Sequence, residues 1–273
     1  MTPPGRNKSL IFPREHGAWG ILLVPLVTGM AAGLFARGSA SSLAPLTLLV
    51  LALFWLRTPL ESWVGAGAMK ARTAEEFDLV RKTVWQLAAV AAAASVWLFW
   101  GGRNFALLAI GAAAGVAFLA QALVKRGGRE RRELAQIIGA GGLTATAPAA
   151  YCVATGGFGN TAWLLWIANL LFAANQIQFV QMRIRGARAA SLSDKLGLGS
   201  GFLLAQFVLL VVLGSACAAG AFPWLAALAF GPILVRGFAW FVSDAPLAVH
   251  ALGKRELLYA CIFGVTLIAG LAL

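Results

Sequence analysis

Acidic side chains are scarce. The 273 residues include ten Asp and Glu against 22 Lys and Arg, with only two histidines and three cysteines. No paired-cysteine metal motif, no glycine-rich phosphate loop followed by Lys and Ser or Thr, and no nucleophile elbow occurs in the chain. His16 and His250 are too few to supply the two pairs of axial ligands that a di-haem helical bundle requires, so neither a metal nor a redox cofactor is expected. Charged residues make up only 12% of the chain, where a soluble domain carries about a quarter, which excludes an ordinary soluble domain.

What fills the chain instead is apolar: 60% hydrophobic residues, at a mean hydropathy of +0.81. Nine segments, near 19–36, 43–63, 83–101, 104–123, 134–154, 160–181, 197–219, 222–242 and 256–273, approach the roughly 17 to 25 residues that carry a helix across about 30 Å of hydrocarbon. The expected fold is therefore all-α, a polytopic integral membrane bundle of about nine transmembrane helices, forming one domain over residues 1–273. No linker or low-complexity tract interrupts it. The opening residues "MTPPGRNKSLIFPREHGA" carry no apolar core or cleavage site of a signal peptide, so the first span should remain as an anchor.

The net charge of +12 would suit a nucleic-acid partner, but its distribution argues for topology instead. With the N-terminus in the cytoplasm, twenty of the 22 Lys and Arg residues fall on the cytoplasmic side and only Arg37 and Arg103 outside, with the C-terminus outside as well. The longer connections, "AGAMKARTAEEFDLVRK", "VKRGGRERRELAQ", "RIRGARAASLSDKLG" and "SDAPLAVHALGKRE", are then cytoplasmic, and any chemistry is expected there. Cys152, Cys217 and Cys261 read as small packing residues, with a Cys152 to Cys217 disulfide as the alternative. The pairs Gly29/Gly33, Gly111/Gly115 and Gly197/Gly201 are each four apart; they suit close helix contacts within the bundle or, alternatively, a homodimer face.

Three polar constellations stand out. In "PREHGAWGILLVP", Arg14, Glu15 and His16 gather a cation, a carboxylate and an imidazole at the mouth of the first span. Arg14 can snorkel with Glu15 satisfying it, yet His16 offers more than an anchor needs. In "LRTPLESW", Arg57 and Glu61 lie four apart on one helix face across Pro59, as a self-neutralised pair or as site-lining groups. In "ANQIQFVQMRIRGARAA", Asn175, Gln178, Met182 and Arg185 follow helical spacing, with Arg183 off that face and Gln176 and Gln181 flanking it. Inter-helix hydrogen bonds and topology signals account for part of this polarity. The remainder favours a polar cavity.

"PREHGAWGILLVPLVTG", "FVQMRIRGAR" and "LGKRELLYACIFG" resemble landmarks of the YwiC-like family of bacterial membrane proteins, which implies the inner membrane as location. More distantly, nine spans with polar ends on the second and sixth are similar to the UbiA-type intramembrane prenyltransferases. Those enzymes hold a prenyl diphosphate through Mg²⁺ on Asn/Asp-rich motifs at these positions. Here Asn175 and Glu61 alone keep the type, while Gln and Arg take the carboxylate places, and Mg²⁺ requires carboxylate and water oxygens. Arginine binds phosphate directly. The reading is an anionic lipid or isoprenoid bound without metal by Arg14, His16, Arg57, Glu61, Asn175, Gln178, Arg183 and Arg185. One alternative is a metal-independent prenyltransferase, with His16 or Glu61 taking a proton from the acceptor. A second is a small-molecule transporter, disfavoured because the polar residues concentrate toward helix ends rather than the midplane.

Overall fold

The computed structural model describes residues 4–13, 16–65, 69–100, 105–128, 131–187, 189, 191–243 and 248–272, as backbone alone for 4, 16, 249 and 250. Among them the regular structure is entirely helical. The helices are α1 (Pro4–Ile11), α2 (His16–Phe35), α3 (Leu43–Val64), α4 (Ala74–Trp100), α5 (Phe105–Arg126), α6 (Arg132–Thr144), α7 (Thr146–Thr155), α8 (Asn160–Arg185), α9 (Leu192–Ala218), α10 (Trp224–Ala227), α11 (Gly231–Val242) and α12 (Val249–Ala272). Nine helical stretches among the described residues are long and apolar enough to cross a membrane, with α6–α7 joined as the fifth and α10–α11 as the eighth. That is the expected count, in the expected places. Large side chains that a soluble protein would bury, such as Trp97, Val116, Leu204 and Val211, are exposed, as lipid-facing positions are.

Several helices outlast their apolar runs. Residues 66–82 read as a loop, yet α4 already begins at Ala74. The Thr73 hydroxyl accepts the Glu76 N–H at 3.2 Å, and Glu75 and Glu76 complement the positive helix start. At α9, which also begins inside an expected loop, Ser191 and Asp194 form a reciprocal capping box.

The contacts divide the chain into two compact units, Met1–His16 with Ser39–Phe105, and Gly17–Gly38 with Ala106–Leu273. In the first, α3 and α4 pair and the short α1 docks on both. Helix α1 is too short to hold itself, and its last carbonyls need partners. Trp55 Nε1 donates to the Ile11 carbonyl at 2.6 Å, and the Ser62 hydroxyl donates to that of Leu10 at 3.0 Å. Leu10, fully buried, packs with Ala71, Val80 and Val84. At the other end Arg6 grips buried Glu76 through Nε at 2.6 Å, and this hydrogen bond raises the guanidinium pKa above its ordinary value.

In the second unit α8 is central, with α6, α7, α9 and α11 packed against it. Phe172 of α8 stacks on Phe263 of α12 at 4.1 Å, and Phe230 meets the same ring edge-on at 5.2 Å. Gly29 lets α2 approach α7: a Cβ there would lie 2.1 Å from the Ala147 carbonyl oxygen, and one at Gly33 would lie 2.6 Å from Ala154 Cβ. Gly111, Gly115, Gly197 and Gly201 have open space around them, so only the first of the three small-residue pairs makes a close helix contact within the chain. Cys152, Cys217 and Cys261 form no disulfide, and Cys152 is buried, so the Cys152 to Cys217 bridge is not made.

Candidate functional site

Of the sequence-derived site residues, Arg14 lies outside the described residues, as does the His16 side chain. Arg57 and Glu61 belong to the first unit. Arg57 Nε donates to Glu61 Oε1 at 3.0 Å despite Pro59 between them, and both side chains are partly exposed. Such an i,i+4 pair contributes about 0.3 to 0.5 kcal/mol. It shapes the surface of α3.

The rest lie on α8, in the second unit. Much of the polarity at its C-terminal end is matched by α6, because Gln181 and Arg185 lie one turn apart and face Gln136 and Glu133, also one turn apart. Gln181 Nε2 donates to Gln136 Oε1 at 2.9 Å, and Arg185 Nη2 to Glu133 Oε2 at 3.0 Å. Arg185 is 58% exposed, so its pair contributes under about 1 kcal/mol. Gln178 is half-buried. Arg183, in the last turn of α8, is also half-buried, and Lys254 and Arg255 of α12 are both exposed.

Asn175 is buried, and its partner is a residue that the sequence reading passed over. Arg236 of α11 is only 9% exposed; its Nη1 donates to Glu256 of α12 in a short ion pair, and its Nη2 donates to Asn175 Oδ1 at 3.0 Å. The guanidinium lies over the Phe179 ring at 4.0 Å and near the Tyr259 ring at 5.0 Å. Gln176 Nε2 donates to the Glu256 carbonyl at 2.7 Å. Asn175, Phe179 and Met182 form the face of α8 that meets this group, a mixed face in place of the polar one expected. Arg236 and Glu256 each lie roughly 10 Å along their helices from the ends at Val242 and Val249, at 1.5 Å per residue.

Arg236, one of the twenty cations that the charge partition places toward the cytoplasm, is buried inside a span. One signal was available in "FGPILVRGFAW", since a lone arginine in an apolar span needs a partner. Glu256 stood in a family landmark without a role. Among the described residues no group of three His, Cys, Asp or Glu side chains gathers as a metal ion would need.

The fold is that of a multi-pass, all-helical membrane protein with a buried Arg236–Glu256 charge pair among its helices. The chain belongs to the YwiC-like family: the YwiC-like protein description matches residues 12–151, just over half of its length. No curated protein and no solved structure matches it.

Proposed function

We propose that the protein binds an anionic membrane amphiphile, through the phosphate of a lipid or isoprenoid, at the ends of α8 and α12. The observation that carries this reading is the pair of cations at these helix ends, half-buried Arg183 in the last turn of α8 and exposed Arg255 in the second turn of α12, guanidinium groups of the kind that bind phosphate directly. Arg185 and Lys254 add positive field at the rim, and exposed apolar side chains such as Leu257 and Leu258 offer a bed for an acyl or prenyl tail. The likeness to UbiA-type prenyltransferases supports an isoprenoid as one such tail. In this reading the site faces the cytoplasm, with the N-terminus inside and the C-terminus outside the inner membrane, as the lysine and arginine asymmetry suggests. Lipid extracted from protein purified in mild detergent and identified by mass spectrometry tests it. Enrichment of phosphate-bearing amphiphiles over zwitterionic lipid is expected; lipid in the same proportions as the surrounding membrane would refute it.

A small-molecule transporter is a second reading, favoured by the Arg236–Glu256 pair, because ionised groups inside spans are costly and mark solute or ion pathways. Substrate counterflow in proteoliposomes separates this from static lipid binding.

A further inference from the structure

The buried pair is incompletely satisfied. Arg236 Nε and Glu256 Oε1 have no hydrogen-bond partner, although Nη1 and Nη2 of the same guanidinium and the carbonyl of the same glutamate do. A third group is in the same condition nearby. Gln206 of α9 is fully buried with neither amide atom partnered, and a Cβ on Gly237, the residue after Arg236, would lie 3.0 Å from that amide. A half-satisfied ionic network in an apolar interior is worse for stability than an apolar core, so its retention calls for missing partners.

The unmet groups define the chemistry of those partners. Arg236 Nε–H and the Gln206 amide nitrogen need an acceptor, whereas Glu256 Oε1 and the Gln206 oxygen need a donor. The pair itself is neutral, so an added anion or cation would leave a net charge buried among Phe179, Tyr259 and the helices, which desolvation opposes. The geometry points to a neutral ligand that both donates and accepts: we propose that the Arg236–Glu256 pair, with Gln206, forms an intramembrane site for a small neutral hydrogen-bonding molecule. Water and a polar solute carrying a hydroxyl or carboxamide share that chemistry. This site uses none of the arginines assigned to the anionic headgroup and stands independently of it.

Water-edited solid-state NMR on the full chain in bilayers tests the proposal. The Arg236 Nε resonance is assigned through its proximity to the labelled ring of Tyr259, one of only two tyrosines. Polarisation from water is expected to reach Nε several times faster than the backbone amides of Ala260 and Phe263, which are buried in the same helix. Acetamide serves as the solute probe: a shift of the Nε resonance on its addition marks a solute site, and fast water transfer without that shift marks a hydration site. Slow transfer together with no shift would overturn the proposal. Gln206→Leu is expected to slow the transfer and leave the Tm unchanged or lower. A higher Tm would show that the amide was buried dry, against the proposal.

Discussion

Arg236 and Glu256 neutralise each other inside the bundle, so removing the glutamate leaves a bare guanidinium held by Asn175 and two aromatic rings, and removing the arginine leaves a bare buried carboxylate. Arg236→Gln or Glu256→Gln is expected to cost about 3 to 5 kcal/mol, while the double change Arg236→Met with Glu256→Leu should cost far less. Thermal or denaturant unfolding in detergent reads this directly, and strictly additive losses would mean that the two side chains are not coupled. The Arg57–Glu61 pair provides the contrast. Its side chains are 21% and 30% exposed, so Glu61→Gln is expected to change stability by no more than about 0.5 kcal/mol. Two Arg–Glu pairs thus differ about tenfold in expected consequence, chiefly because one is buried between helices and the other lies partly exposed on one.

Helix packing makes its own demands. Gly29 sits where α2 touches the backbone of α7, so Gly29→Ala must push two helices apart, at about 1 to 3 kcal/mol, whereas Gly111→Ala enters open space and should be neutral or mildly stabilising. Comparable melting curves for the two variants would contradict the close approach. At the start of α9, Ser191→Ala removes the cap on Asp194 N–H and is expected to cost about 1 kcal/mol. Apolar run length sufficed to find all nine spans, because the hydrocarbon thickness sets it. Helix ends were a different matter: α4 runs on through Glu75, Glu76 and Asp78, where hydropathy falls although helical geometry does not. The capping box at α9 was legible as Ser191 three residues before Asp194, but had been absorbed into a loop. The pairing of Arg236 with Glu256 was not legible in the same way, because it depends on how α11 and α12 dock across a twenty-residue separation. The polar end of α8 was visible as composition, whereas its matching to Glu133 and Gln136 required the register of α6.

For the whole molecule, one crossing for each of the nine apolar helical stretches among the described residues predicts termini on opposite sides of the membrane. A reporter fused after Leu273 is expected outside the cytoplasm and one inserted near Gly128 inside; finding both on one side would break the nine-span account. The claim of an anionic amphiphile depends on few residues and can be tested on them. The direct measurement is binding of phosphatidylglycerol and of geranylgeranyl phosphate, against phosphatidylcholine, by native mass spectrometry of the wild type, Arg183→Gln, Arg255→Gln and Arg185→Gln, each with an unchanged Tm. The account expects Arg183→Gln and Arg255→Gln to weaken the phosphate-bearing ligands about ten- to a hundredfold, the equivalent of about 1.5 to 3 kcal/mol for a charge-assisted bond, with Arg185→Gln much milder because its side chain is already engaged by Glu133. Equal, small losses across the three variants, or equal binding of phosphatidylcholine, would contradict it.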